Sequence, residues 1–190
     1  MKNKKAIFVC GSGGSGKSSF IKNNLAEYEH IDVDIIYEKL LIDNNMGLKI
    51  KNFNKDELIK SSILFEESKS KNDYNLACAI QSNKNIVIDG IGRYSDIILS
   101  QRSYLEQNGY STFMLMIYAD LNTCLERVRS RERDYGEFLV KDSWYLSYNN
   151  VGTYKKEFGD RFLFIYNDYP IDCIVLNSFL DATKELKRLM

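Results

Sequence analysis

The run Gly11-Ser12-Gly13-Gly14-Ser15-Gly16-Lys17-Ser18 fits G-x-x-x-x-G-K-[ST] at every position. Glycines let a backbone wrap a polyphosphate and turn its N–H groups inward. A helix beginning near Lys17 adds its positive end to the same anion. Lys17 suits the β- and γ-phosphates, the Ser18 hydroxyl suits Mg²⁺, and Ser19 is placed in the same cradle. This is the chemistry of a nucleotide polyphosphate with Mg²⁺, and the cradle alone does not separate a kinase from an ATPase, a GTPase or a switch.

Carboxylates follow at two places. Ile86-Val87-Ile88-Asp89-Gly90 is an apolar run ending in aspartate. At the carboxyl end of a strand, Asp89 would hold the metal or its water shell beside the cradle. Asp32 and Asp34 are two apart and share a side in extended chain. One carboxylate there could take a proton from an attacking hydroxyl, or Asp34 could cap a helix over Ile35–Leu41. Both readings stand open.

Of the eight arginines, four are Arg127, Arg129, Arg131 and Arg133. On a helix, Arg127 and Arg131 share one face, and Arg129 and Arg133 another about 160° away. A solvated face paired with Glu126 and Glu132 would explain them. A transfer site also needs cations over the γ-phosphate. The phase puts Arg127 and Arg131 toward the nucleotide and the other two toward solvent. Arg93, four residues after Asp89, is a further acceptor-side candidate. His30 is the one histidine, which excludes Ser-His-Asp and multi-histidine metal sites. Trp144, Tyr145, Tyr148 and Tyr154 form an aromatic cluster read as core or lid packing, with base stacking the alternative.

These residues need elements to position them. Lys4–Cys10 reads as a buried strand and Lys17–Glu27 as a helix. Tyr28–Val33 is a weak strand, Glu38–Asn54 irregular and partly helical, and Asp56–Ile80 mostly helical. Asn85–Asp89, Thr112–Tyr118 and Phe162–Tyr166 read as strands, and Ile171–Leu176 competes with the last. Ser95–Gln107, Asn122–Arg133, Glu137–Tyr148 and Leu180–Leu189 read as helices. Strands alternating with helices predict an α/β fold with a parallel sheet covered on both faces. In such sheets ligands bind beyond the carboxyl ends of the strands, where the motifs fall.

The 190 residues suit a single domain, 1–190. Hydrophobic residues at 44% and charged residues at 27% are ordinary for a soluble globular protein. Twenty-six basic against 26 acidic side chains is not the balance of a protein coating duplex DNA, though a local basic groove remains open. The longest apolar stretch, Phe113–Ala119, is too short to span a bilayer. The N-terminus lacks a signal-peptide pattern, so a cytosolic location is expected. Cys10, Cys78, Cys124 and Cys173 have no C-x-x-C spacing and read as buried thiols.

The order Gly11–Ser18, Asp34, Ile86–Gly92, Leu105–Gly109–Tyr110, Met116–Tyr118 and Leu125-Glu-Arg-Val-Arg-Ser-Arg resembles the small P-loop kinases of the zeta-toxin and polynucleotide-kinase type. Lys141-Asp-Ser-Trp144, Phe158-Gly-Asp-Arg-Phe162 and Ile165-Tyr-Asn-Asp168 bring it nearest to phage-encoded zeta-toxin-like kinases. That group includes kinases proposed to act on 5-hydroxymethyluracil in phage DNA. The resemblance implies an adenylate-kinase-like P-loop NTPase fold with strand order 2-3-1-4-5. It implies an acceptor-binding insertion at 38–84, a lid at 122–160, Asp34 as base, and Arg127 and Arg131 as lid arginines. Where many relatives carry an arginine three residues after the aspartate to grip an acceptor phosphate, this chain has Tyr37. A neutral hydroxyl acceptor is therefore favoured over a phosphate-bearing one.

The expected activity is transfer of the γ-phosphate of ATP, with Mg²⁺, to a hydroxyl on a nucleotide or nucleic acid. A phage-encoded enzyme would work in the host cytoplasm. A nucleotide-sugar kinase and a nucleoside or nucleotide kinase are the alternatives. A nucleotide-binding switch is the non-enzyme rival. It lacks the Asn-Lys-x-Asp run that reads guanine, since Asn54-Lys55-Asp56 has the wrong spacing.

Overall fold

The computed structural model describes residues 4–130 and 136–167. Strands β1 (Lys4–Cys10), β2 (Glu29–Ile31), β3 (Ile86–Gly90), β4 (Tyr110–Tyr118) and β5 (Phe162–Tyr166) form one sheet in the order β2-β3-β1-β4-β5. Every pairing is parallel. The α/β class, the parallel sheet and the 2-3-1-4-5 order expected from the sequence are all present. The competing strand Ile171–Leu176 and the helix Leu180–Leu189 lie outside the described residues, as does Cys173.

The sheet is covered on both faces because its inner strands are apolar at every position rather than at alternate ones. Phe8, Cys10, Ile86, Ile88, Met114 and Met116 point to one side. That side is covered by α3 (Lys55–Gln81) through Leu76 and Ala79, and by α4 (Ser95–Gln107) through Leu105. α7 (Val151–Phe158) adds Tyr154 and Phe158 to the same cluster. Ile7, Val9, Val87, Leu115 and Ile117 point the other way, against Phe20 and Ile21 of α1 (Lys17–Asn24).

A second, smaller core sits off the sheet. Helix α2 (Val33–Asp43) packs on α3 through Tyr37, Leu40, Leu41 and Leu64. The Tyr37 ring meets Phe65 edge-on at 5.2 Å. Tyr37 is buried, so it serves this core rather than the cleft. Helix α3 starts with a capping box: Asn54 Oδ1 accepts from Glu57 N, and Glu57 Oε2 accepts from Asn54 N.

Helices α5 (Leu121–Arg129) and α6 (Glu137–Asn149) meet over Ala119, Cys124, Leu125, Val128 and Val140. Within the stretch 122–160, α7 packs on the sheet core, and sequence reading had missed it. Its apolar residues Val151, Tyr154 and Phe158 recur at helical spacing, but the segment is short and carries Gly152 near its start. Among the described residues no helix is long and apolar enough to cross a membrane.

Candidate nucleotide and phosphoryl-transfer site

The cradle forms between β1 and α1. Gly16 is the residue before α1 and has φ +101°, a conformation that favours glycine. Gly14 has φ +83°, and a Cβ there would stand 2.5 Å from the Cys124 carbonyl oxygen. Helix α5 therefore presses directly on the loop. Lys17 Nζ folds back to donate to the Gly11 and Ser12 carbonyls at 2.8 and 3.1 Å. Ser18 and Ser19 are exposed.

Behind the loop, Asn167 follows β5. Its Nδ2 donates to the Ser15 carbonyl at 2.7 Å, and its side chain occupies the space a Cβ at Gly16 would need. Arg127 Nη1 donates to the carbonyls of Gly14 and Asn167 at 3.2 and 3.1 Å. The helical phase read from the sequence places Arg127 against the loop and Arg129 away from it. Arg129 pairs with Glu137 on the surface. Arg131 and Arg133 lie outside the described residues. In the sequence Asn167 stands out only within the tail motif Ile165-Tyr-Asn-Asp168, because its partner Ser15 is 152 residues away.

The loop opens on a cleft of about 260 Å³ lined by Gly13, Gly14, Gly16, Lys17, Ser18, His30, Asp32, Asp34, Ile35, Glu38, Asp89 and Val128. The three regions singled out in the sequence thus meet in one place. Asp89 is the last residue but one of β3, and His30 on β2 and Asp32 just past it come alongside because β2 pairs with β3 in register His30↔Val87. His30 Nε2 lies 3.7 Å from Asp32 Oδ2 and 3.9 Å from Asp89 Oδ2. Ligating atoms of these three residues all fall within 4.8 Å of one another.

Asp32, not Asp34, caps α2. Its Oδ1 accepts from Asp34 N at 2.7 Å and more weakly from Ile35 N at 3.4 Å. The helix begins two residues earlier than the sequence suggested, at Val33 rather than Ile35. Burial pushes the Asp32 carboxyl up to about 6, with the Asp89 and Asp34 charges adding to the rise. The Asp34 N–H and His30 oppose it. Contact with the Asp89 carboxylate raises His30 above its ordinary value, burial opposing and the Asp32 charge assisting. The crowding of carboxylates against one imidazole is the setting in which a bound cation is favoured.

Arg93 does not reach the cleft lining. Its Nη2 pairs with Asp142 of α6 at 3.0 Å and its guanidinium covers the Tyr94 ring at 4.8 Å. Trp144 and Tyr148 pack on Tyr118 at 5.7 and 4.7 Å, and Trp144 Nε1 donates to the Ala119 carbonyl. These aromatics pack as expected, while Tyr145 is exposed. Cys10 and Cys124 are buried free thiols, and Cys78 is half-buried. The Cys10 thiol is pushed up to about 12, chiefly by burial, and is inert at neutral pH.

The family model AAA_33, described as an AAA domain, matches residues 7–144, from β1 into α6. The chain belongs to this family. No curated protein matches the sequence. Solved structures do. A candidate kinase from Chloroflexus aurantiacus has TM-score 0.68 at 12% identity, with 100% of both chains covered. A structure of AvrRxo1-ORF1:-ORF2 with ATP has TM-score 0.66 at 16% identity, covering 86% of this chain and 55% of that one. Shikimate kinase from Bacteroides thetaiotaomicron has TM-score 0.55 at 14% identity, covering 96% and 98%. At these identities the likeness is one of fold, and the fold is that of P-loop kinases.

Proposed function

We propose that this chain is an ATP-dependent phosphotransferase that moves the γ-phosphate to a hydroxyl. The observation that carries the reading is one cleft in which the loop residues Gly13, Gly14, Gly16, Lys17 and Ser18 face Asp34 and Asp89. A loop that only bound a nucleotide with its metal would need a carboxylate such as Asp89, but not a second one on α2.

In this reading the N–H groups of Gly13, Gly14 and Gly16–Ser19 and the Lys17 ammonium take the phosphates, while the N–H groups of Gly11, Ser12 and Ser15 are held by Ile91, Tyr148 and Ser12. Arg127 acts from behind, by holding the loop carbonyls. The donor set fits Mg²⁺: Ser18 and Asp89 are oxygen ligands on the cleft, with crowded carboxylates at its edge. When bound, the ion neutralises charge on the phosphates.

Asp34 is the base. Capping by Asp32 engages the Asp34 N–H, and Asp34 lines the cleft that the phosphate loop opens on. The acceptor hydroxyl gives its proton to Asp34 as its oxygen bonds the γ-phosphorus. The bond to the β-phosphate oxygen breaks and ADP leaves with that electron pair.

The α2–α3 arm, which begins at Val33 and overlaps most of 38–84, forms the acceptor wall, and the stretch from α5 into α6 is the lid side of 122–160. Asp32, Asp34, Glu38 and Asp89 line the cleft against Lys17. Tyr37 is withdrawn into the arm's core. Both support a neutral hydroxyl on a nucleoside, nucleotide or DNA base over a phosphate-bearing end. This agrees with the resemblance to zeta-toxin-like and 5-hydroxymethyluracil kinases. The test is transfer of γ-³²P from ATP to a panel: hydroxymethyluracil DNA, 5′-hydroxyl DNA, nucleosides, nucleoside monophosphates and uridine diphosphate sugars. Labelling of any hydroxyl-bearing member supports the reading and names the acceptor. No labelling of any member, by protein shown to bind MgATP, contradicts the proposed acceptor class.

A further inference from the structure

Helix α6 carries an uncommon row of buried hydroxyls aimed at two loops of the site. Ser143 and Ser147 are four apart, and Tyr148 follows. Ser143 is 5% exposed and Ser147 fully buried. Ser143 Oγ lies 3.4 Å from Ser12 Oγ, inside the phosphate loop. The Tyr148 hydroxyl donates to the Ile117 carbonyl at 2.9 Å and accepts from Ser12 N at 3.4 Å. It joins the last turn of β4 to the first turn of the cradle. Ser147 Oγ donates to the Ile91 carbonyl at 2.6 Å, just past Asp89. That same carbonyl accepts from Gly11 N at 3.2 Å. Beyond the helix, Asn150 Nδ2 donates to the Gly92 and Arg93 carbonyls at 3.1 and 2.9 Å, and the Tyr154 hydroxyl to Gly92 at 2.9 Å.

An apolar helix would cover this end of the sheet as well, and burying hydroxyls brings no gain unless each has a partner. Here the partners are backbone groups of the loop that holds the phosphates, of the end of β4 and of the loop that follows Asp89.

We propose that Tyr148, with Ser143, is a positioning residue that holds the phosphate cradle in its nucleotide-binding shape before ATP arrives. The inference rests on the nucleotide reading of the cradle and not on the identity of the acceptor. Preorganisation of this kind acts on affinity: a cradle that must be ordered by its ligand binds that ligand more weakly. Loss of the Tyr148 hydroxyl leaves Ser12 N and the Ile117 carbonyl short of a partner, while the ring keeps its packing on Tyr118 and Trp144 at 4.7 and 5.2 Å.

The experiment titrates the full chain with a fluorescent N-methylanthraniloyl-ATP in Mg²⁺ buffer, and needs no acceptor. Tyr148→Phe is compared with wild type and with Tyr145→Phe, an exposed tyrosine on the same helix. Tyr148→Phe is expected to raise the dissociation constant by roughly three- to tenfold, the worth of a hydrogen bond. Tyr145→Phe is expected to leave it unchanged. A purely structural role would lower the melting temperature of Tyr148→Phe and leave the affinity of the folded protein at the wild-type value, and that result overturns the proposal. Should Tyr148→Phe fail to fold, Ser143→Ala is read by the same criterion. If wild type itself binds no nucleotide, the reading of the cradle falls and this inference with it. If wild type binds and Tyr148→Phe binds equally well, only this inference falls.

Discussion

The Asp32 carboxylate accepts the backbone N–H of Asp34 at 2.7 Å, and that contact divides the labour between the two aspartates. Asp32 starts helix α2 and lies against His30 and Asp89. Asp34 sits in the first turn of that helix and lines the cleft. Asp34→Asn is therefore expected to lower single-turnover transfer by about 10²–10⁴-fold, the usual range for a lost general base, with MgATP affinity nearly unchanged. Full activity in Asp34→Asn alongside a deep loss in Asp32→Asn would move the base to Asp32.

Asp32 also sets a pH dependence. Its folded-state value, about 6, lies above the ordinary carboxyl value of 3.8. The folded protein therefore holds a proton the unfolded chain has released. That favours folding below about pH 4, and the advantage is lost as pH rises through 6. Asparagine caps a helix as well as aspartate does and carries no charge to bury. In metal-chelated buffer, Asp32→Asn is expected to be about 1–3 kcal/mol more stable than wild type at pH 7.5, with the gap closing by pH 4. Chemical denaturation at the two pH values measures this. A gap that is the same at both would show that the Asp32 charge is not strained.

The two described arginines of α5 should separate cleanly. Arg127 makes hydrogen bonds from a charged donor to two backbone carbonyls at the cradle, a type of contact worth about 1.5–3 kcal/mol. Arg129 pairs with Glu137 where both side chains are about half exposed, a pairing worth roughly 0–1 kcal/mol. Arg127→Ala is expected to weaken both folding and nucleotide binding, and Arg129→Ala neither. Thermal melts and nucleotide titrations check both. Equal losses at the two positions would contradict the helical phase.

Gly14→Ala is expected to displace the loop, because the new methyl meets the backbone of Cys124 and φ is +83°. Backbone cannot swing aside as a side chain can, so a tenfold or greater loss of nucleotide affinity is expected, on the order of 1.4 kcal/mol. Gly152 in α7 has open space around it, and Gly152→Ala is expected to gain up to ~1 kcal/mol of stability. The pair distinguishes a functional glycine from a permissive one by the same two measurements.

Much of this arrangement was legible in the sequence because it is local. The loop is a contiguous motif, the inner strands are short apolar runs, and the Arg127/Arg129 phase follows from 100° per residue. What was not legible depends on contacts across the chain. Tyr148 reaches Ser12 over 136 residues and Asn167 reaches Ser15 over 152, and neither pairing leaves a periodic trace. The three-residue strand β2 gave no boundary sharp enough to tell a cap at Asp34 from one at Asp32. Tyr37 stands out in sequence only as a departure from the relatives, and its burial against Phe65 supplies the physical reason.

The most direct test of the central claim is acceptor-dependent ADP formation from MgATP by wild type and by folded Lys17→Ala. Lys17 lies inside the loop, 2.8 Å from the Gly11 carbonyl, where it would meet charge on the transferring phosphoryl group. Loss of such a contact removes about 3–4 kcal/mol or more of transition-state stabilisation. The account predicts ADP formation stimulated by a hydroxyl acceptor in wild type and reduced at least a hundredfold in Lys17→Ala. Wild-type turnover by a folded Lys17→Ala protein would contradict it.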